Sequence, residues 1–332
     1  MIKKSSNNNT YVQIYIGLLV MVISLIISIS IGRYPISIKE IAKIVLGKEV
    51  SELTQRVFLT LRLPRTLMAL LAGAGLSISG SVYQTIFKNP LATPDIIGIS
   101  SGANLGAAVA IGLLSGRPIT VAILAFIGGL LAVFGALGLT RITKNIGVTT
   151  FILAGIVIGS ISQGLIMLIK FTADPERQLA SIEYWSMGSL ASVTDSKLLS
   201  ILPFFLLGIM GLYLLRWKIN ILSLSDQEGS SLGIRVNRIR ISVIISATLV
   251  VASVVSVTGL ISFIGLIGPH IARIITKKND FNTAILGGIS GVIIIIIADT
   301  LARSLSSSEI PISILTTFIG APFLAYLMRK IR

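Results

Sequence analysis

Long apolar runs, broken by short polar, glycine or proline stretches, set the pattern of this chain. A helix needs roughly 20 mostly apolar residues to cross the hydrocarbon core of a bilayer. By that measure ten stretches are predicted to span, near 11–31, 64–86, 96–114, 118–140, 149–169, 198–216, 239–259, 260–276, 283–301 and 311–328. The run Gly291–Ala298 is unambiguous. The third stretch is rich in Gly, Ser and Asn, and the seventh and eighth are parted only by Thr258-Gly259. Lys3 and Lys4 before the first stretch resemble the start of a secretory signal. Tyr11–Ile31 is longer than a signal core, however, and no clean small-residue cleavage site follows, so it is read as a retained helix.

The polar segments between the runs carry their own pattern. Ile38, Ile41, Ile44 and Val45 share one helical face, with Ser37 placed to cap and Gly47 to terminate, which predicts a short interfacial helix. That helix belongs to one of two outer segments, about 32–63 and about 170–197; the second carries Tyr184 and Trp185, aromatics suited to a membrane boundary. The largest inner loop, about 217–238, is polar and basic at its end, and is the expected docking surface for a cytoplasmic partner. Pro90 and Pro94 end the helix at Lys88–Asp95. The following Gly98–Asn104 reads as irregular backbone facing protein or water.

Composition fixes the class. Of 332 residues, 53% are hydrophobic and only 12% charged, against about a quarter charged in soluble domains. The chain is therefore predicted to be an all-α polytopic membrane protein, residues 1–332 forming a single transmembrane domain. The net charge of +15 would point to nucleic acid in a soluble chain; here the positive-inside rule accounts for it. Placing both termini in the cytoplasm assigns 16 of the 28 Lys and Arg to the inside, and seven of the other 12 fall in the one long segment 33–65. No nucleic acid partner is expected.

The same inventory excludes much chemistry. With no cysteine and one histidine, His270, disulfides, thiolate sites, Cys nucleophiles and His-based metal clusters are ruled out, and no metal, cofactor or catalytic residue is expected. His270 reads as a packed, hydrogen-bonded side chain. No G-x-x-x-x-G-K-[ST] occurs, so ATP-driven transport would need a separate subunit. Asp299 and Arg273 fall near helix ends, leaving the deep interior nearly free of the paired carboxylates found in many ion-coupled carriers. Gly73, Gly75, Gly80, Gly155, Gly159 and Gly164 read mainly as helix-packing positions, with a smooth pore lining as the alternative.

A resemblance emerges from ordered motifs. Arg62-Leu63-Pro64-Arg65, Gly80 through Tyr83-Gln84, Asn89 through Asp95 and Gly98 through Ala103 are followed by Leu153-Ala154-Gly155, Tyr184 through Leu190, Gly259 through Leu266, Pro269 through Arg273, Ala298 through Arg303, Glu309-Ile310-Pro311 and Gly320 through Phe323. Together they resemble the iron-siderophore and vitamin B12 permease family of ABC importers, the FecCD family, over nearly the whole chain. The resemblance implies a type II ABC importer permease in a bacterial cytoplasmic membrane. Its implied partners are a second permease subunit, identical or paralogous, two cytoplasmic ATPase subunits and an external substrate-binding protein. The implied substrate is of iron-siderophore type, with haem or cobalamin as alternatives; a secondary carrier is the distant rival. It further implies docking of the binding protein at Arg62, Arg65 and Arg303, an ATPase coupling segment including Leu224, Asp226, Glu228, Gly229, Leu232 and Gly233, and a cytoplasmic gate at Val148 and Thr149. Ser225 stands where the family usually has Gly, and Gly229 where it usually has Ala, which predicts a looser coupling helix.

Overall fold

The computed structural model describes residues 5–32, 34–114, 116–143, 147–305 and 309–330. Lys3, Lys4, Arg33, Lys144 and Arg332, which enter the charge count, lie outside them. Helices occupy all ten predicted stretches: α1 (Ser5–Ser30), α2 (Leu63–Ile86), α3 (Ile99–Gly112), α4 (Pro118–Ile142), α5 (Val148–Thr172), α6 (Asp195–Leu214), α7 (Val236–Thr258), α8 (Ile264–Thr276), α9 (Phe281–Ser304) and α10 (Ile312–Lys330). Seven are long and apolar enough to cross a membrane; α3, α8 and α10 are shorter apolar helices. Among the described residues there is no strand. The chain is thus an integral membrane protein of all-α architecture. Below, the end bearing residues 32–63 and 170–197 is termed outer, after its predicted side.

Local chemistry sets the boundaries. Asp280 caps α9, its carboxylate accepting from the Thr283 amide at 2.8 Å, and Thr194 caps α6; such caps satisfy donors that the first helical turn leaves unpaired. The predicted helix after Ser37 forms as Ile38–Val45, with a reciprocal Ser37–Glu40 capping box. Pro64 lacks the amide that would bond back into the preceding turn, and the chain widens there into a π-helical turn, Val57–Arg62, continuous with α2.

Two predicted boundaries shift. Gly98 takes a left-handed turn at φ +87°, and from Ile99 the backbone is helical, the Gly102 amide already bonding to the Gly98 carbonyl at 2.9 Å. Irregular backbone through Asn104 is therefore corrected to residues 87–98. Likewise α8 begins at Ile264, because Gly259 and Phe263 both adopt positive φ (+70° and +67°) and hold 259–263 out of either helix.

The core forms where α2, α7, α8 and α9 meet. Backbone contact between α2 and its neighbours is intimate at two crossings. A Cβ on Gly73 would lie 2.4 Å from the Val292 Cα, and one on Gly80 only 1.8 Å from the Gly265 carbonyl oxygen. Helices in lipid gain stability from such close packing, since apolar burial alone distinguishes little between helix and lipid neighbours. By contrast α1 and one face each of α5 and α6 display large apolar side chains, as surfaces facing lipid or another subunit do.

Candidate functional site

At the outer end the structure brings Arg62, Arg65 and Arg303 together around one cavity of about 230 Å³, with Glu309 and Tyr34 on its wall. All three arginines are committed within the chain. Arg65 lies across two acids: it reaches Asp299 at 2.8 Å and donates from Nη1 to both Glu309 oxygens at 2.9 Å. Arg303 pairs with Asp299 at 3.1 Å and donates to the Ser28 carbonyl at 3.0 Å. Arg62 donates to the carbonyls of Ile31 and Tyr34. Three guanidinium groups thus face two carboxylates and leave one net positive charge. Arg62, Asp299 and Arg303 are buried, whereas the Glu309 side chain retains 31% of its exposure. The network fastens α1 to α2, to α9 and to the segment before α10.

At the opposite end, the predicted coupling loop contains two short helices, Arg216–Leu222 and Asp226–Ser231. Ser225, whose place predicted a looser helix, instead closes a capping box with Glu228, a device worth about 1 kcal/mol. Gly229 is buried against Val236, and Gly233 ends the segment at φ +75°. Leu224 and Leu232 are exposed at 42% and 60%, an apolar pair in a polar loop. Asp226 ties the segment to the body of the protein. It accepts from the fully buried Arg240 at 2.8 and 2.9 Å and from Lys88 at 3.1 Å, so it joins this loop to α7 and to the inner end of α2. Partial burial opposes ionisation of Asp226, but the hydrogen bonds from Arg240 and Lys88 outweigh it and hold the carboxyl below its ordinary range. Bonds from the Ser225 hydroxyl and amide lower Glu228 in the same way.

Val148 and Thr149 stand at the first turn of α5, Val148 half-buried and Thr149 exposed. The helix is preceded by Gly147 with no side-chain cap, so Thr149 does not serve as one. His270 is packed as predicted: its Nδ1 lies 3.3 Å from Arg273 and its ring meets Phe323 edge-on at 6.3 Å. Arg273 also donates to Gln84.

Three further cavities lie against α3, α5 and α7. An outer vestibule of about 810 Å³ is bounded by Tyr184, Trp185, Lys197 and Thr258. Next along α7 lies a chamber of about 280 Å³, where the break before α3 faces the break before α8. A groove of about 590 Å³ then follows the face of α5. Gly155, Gly159 and Gly164 all border this groove; a Cβ would meet only the Ser101 hydroxyl at 3.6 Å on Gly159 and nothing within 4 Å on Gly164, whereas Gly73, Gly75, Gly80 and Gly155 pack tightly. The packing reading therefore holds for Gly73, Gly75, Gly80 and Gly155.

Residue-by-residue reading missed the partners rather than the principals. Asp299 shares a resembling motif with Arg303 and Glu309 opens the next one, yet nothing in their spacing, 234 and 244 residues from Arg65, announces a contact. Asp95, at the end of the Pro90–Pro94 break, lines the chamber.

The comparisons agree with this architecture. The chain matches the FecCD transport family over residues 19–330 and belongs to that family, whose members are permease subunits of ABC importers. It is 38% identical over 331 residues to the molybdate import system permease protein of Haemophilus influenzae, covering 98% of this chain and 97% of that one. It is 34% identical over 313 residues to an Fe(3+)-citrate import system permease protein of Bacillus subtilis, covering 93% and 92%. An inward-facing structure described as a metal-chelate type ABC transporter superposes with a TM-score of 0.86 at 35% identity, covering 96% of this chain and 98% of that one.

Proposed function

We propose that this permease carries an iron-siderophore-type chelate across a bacterial cytoplasmic membrane, both termini lying in the cytoplasm. ATP hydrolysis on two separate ATPase subunits drives the step, and an external binding protein delivers the cargo. The observation that carries this reading is the placement of two unlike docking features at opposite ends of the helical body. Outside, an arginine-lined pocket with net positive charge is fitted to acidic side chains of a binding protein at Arg62, Arg65 and Arg303. Inside, a capped helix with exposed Leu224 and Leu232 is fitted to a cleft on an ATPase. The groove on α5 places Asp95, Ser160 and Gln163 on an otherwise apolar surface; polar groups there are costly against lipid and are better covered by a second permease subunit. Val148 and Thr149, at the inner mouth of that groove's helix, serve as the cytoplasmic gate.

The iron-chelate reading draws support from the citrate-importing relative and the metal-chelate structure, while the molybdate relative makes an oxyanion the principal competing cargo; haem and cobalamin are further alternatives. Purifying the assembled complex with its binding protein and identifying the bound small molecule by mass spectrometry tests the assignment. Recovery of an iron chelate supports it, and recovery of molybdate overturns it. Uptake into proteoliposomes that persists without ATPase subunits and collapses with an ion gradient would replace the importer by a secondary carrier.

A further inference from the structure

The importer reading leaves the central chamber without a role. We infer that it is a charge-selective station on the route, where the Asp95 carboxylate favours neutral or cationic chelates and repels free oxyanions; the inference rests on the importer reading for its cargo, though not for its electrostatics.

Asp95 belongs to the chain break between α2 and α3, and this break is set deep. Gly155 meets the Ile96 carbonyl so closely that a Cβ would lie 1.9 Å from it. Gly155 stands seven residues into α5, about 10 Å along the helix from its first residue. Asp95 borders both the chamber and the α5 groove, as do Ser101 and Gln163, so one carboxylate looks onto both compartments. The Ser100 hydroxyl donates to it. Among the described residues no basic side chain lines either cavity, and no ion pair of Asp95 occurs. Arg273, the basic residue on α8, is turned instead to Gln84 and His270.

One further acceptor in the lining shares the preference. Asn104 Oδ1 is buried without a hydrogen-bond partner and, like the carboxylate, can only accept. A chelate that encloses its metal and presents amide or ammonium N–H groups offers both atoms what they lack. A bare oxyanion offers only acceptors, and brings negative charge against a carboxylate that has no basic partner in either cavity.

The chain contains no cysteine, so one introduced thiol reports on this space alone. Gln163→Cys, which borders both cavities, would be reacted with a trimethylammonium-bearing and a sulfonate-bearing methanethiosulfonate in the complex of permease and ATPases. Rates are normalised to a free thiol. The expected cationic preference is about tenfold, in line with focusing of potential in a cleft, and it should fall to near unity when Asp95→Asn is added. Equal rates, or a preference untouched by Asp95→Asn, would overturn the inference. Ser101→Cys borders the same two cavities and serves if the first reporter does not fold. In proteoliposomes with docked binding protein, Asp95→Asn should slow uptake of a cationic ferric trihydroxamate chelate several-fold while stimulated ATP hydrolysis is kept. ATP-driven accumulation of molybdate unaffected by Asp95→Asn would also sink the idea. Uptake independent of the ATPases, in contrast, counts against the importer reading and leaves the thiol ratio to judge Asp95.

Discussion

Arg65 illustrates how a side chain can be both a surface feature and a structural one. It is held by Asp299 and Glu309, and of these Glu309 is the exposed member, so an incoming carboxylate would meet Arg65 by taking the place of Glu309. Arg65→Glu should therefore weaken binding-protein docking by tenfold or more in Kd (about 1.4 kcal/mol), whereas Glu309→Gln should leave docking intact or tighter, both read by surface plasmon resonance. Asp299→Asn tests the structural half. It removes the shared partner of two buried arginines, a change that typically costs about 3–5 kcal/mol, and should lower the thermal stability of the purified subunit. Asp226 sets a different test. Its depressed pKa means that its contribution is full above the ordinary carboxylate value and is lost as pH falls through the lower, folded-state value. The stability difference between wild type and Asp226→Asn should be constant from neutral pH to about pH 4 and shrink only below that. Because nearly half of the Asp226 side chain faces solvent, the plateau difference should be modest, about 1 kcal/mol.

Among the elements, those written by local pattern were legible before any coordinates. Apolar run length marked the seven long helices and the three shorter apolar ones, and Ser37 with Glu40 marked the short helix Ile38–Val45. The breaks were legible as breaks, from Pro90, Pro94 and Thr258-Gly259, but not in extent. Whether Gly98 or a longer run absorbs the turn is decided by what packs there, and the contact of Ile96 with Gly155 arises from residues some 60 positions apart. The same limit applied to glycine. Gly80 and Gly164 look alike in sequence, yet one touches a neighbouring backbone and the other borders open space. Gly80→Ala should consequently destroy monodisperse expression, as judged by fluorescence-detected size exclusion, and Gly164→Ala should express as wild type. For the coupling segment, deletion of Asp226–Gly233 should abolish binding-protein-stimulated ATP hydrolysis while membrane insertion, measured by fractionation, is retained.

For the whole molecule, the sequence carried the family through the order of its motifs, but the gathering of the outer arginines around Asp299 and Glu309 needed the fold. The same cluster holds the N-terminal helix. Much of α1 faces away from the core, and its outer end is fastened by the arginines: Arg303 on Ser28, and both Arg62 and Arg303 on Ile31. That fastening has a practical corollary for building hybrid importers. Delivery proteins cannot be exchanged by transplanting surface arginines one at a time, because each would arrive without its acid or its carbonyl acceptor. The portable unit is the set Arg62, Arg65, Asp299, Arg303 and Glu309, moved together with the end of the first helix that closes it.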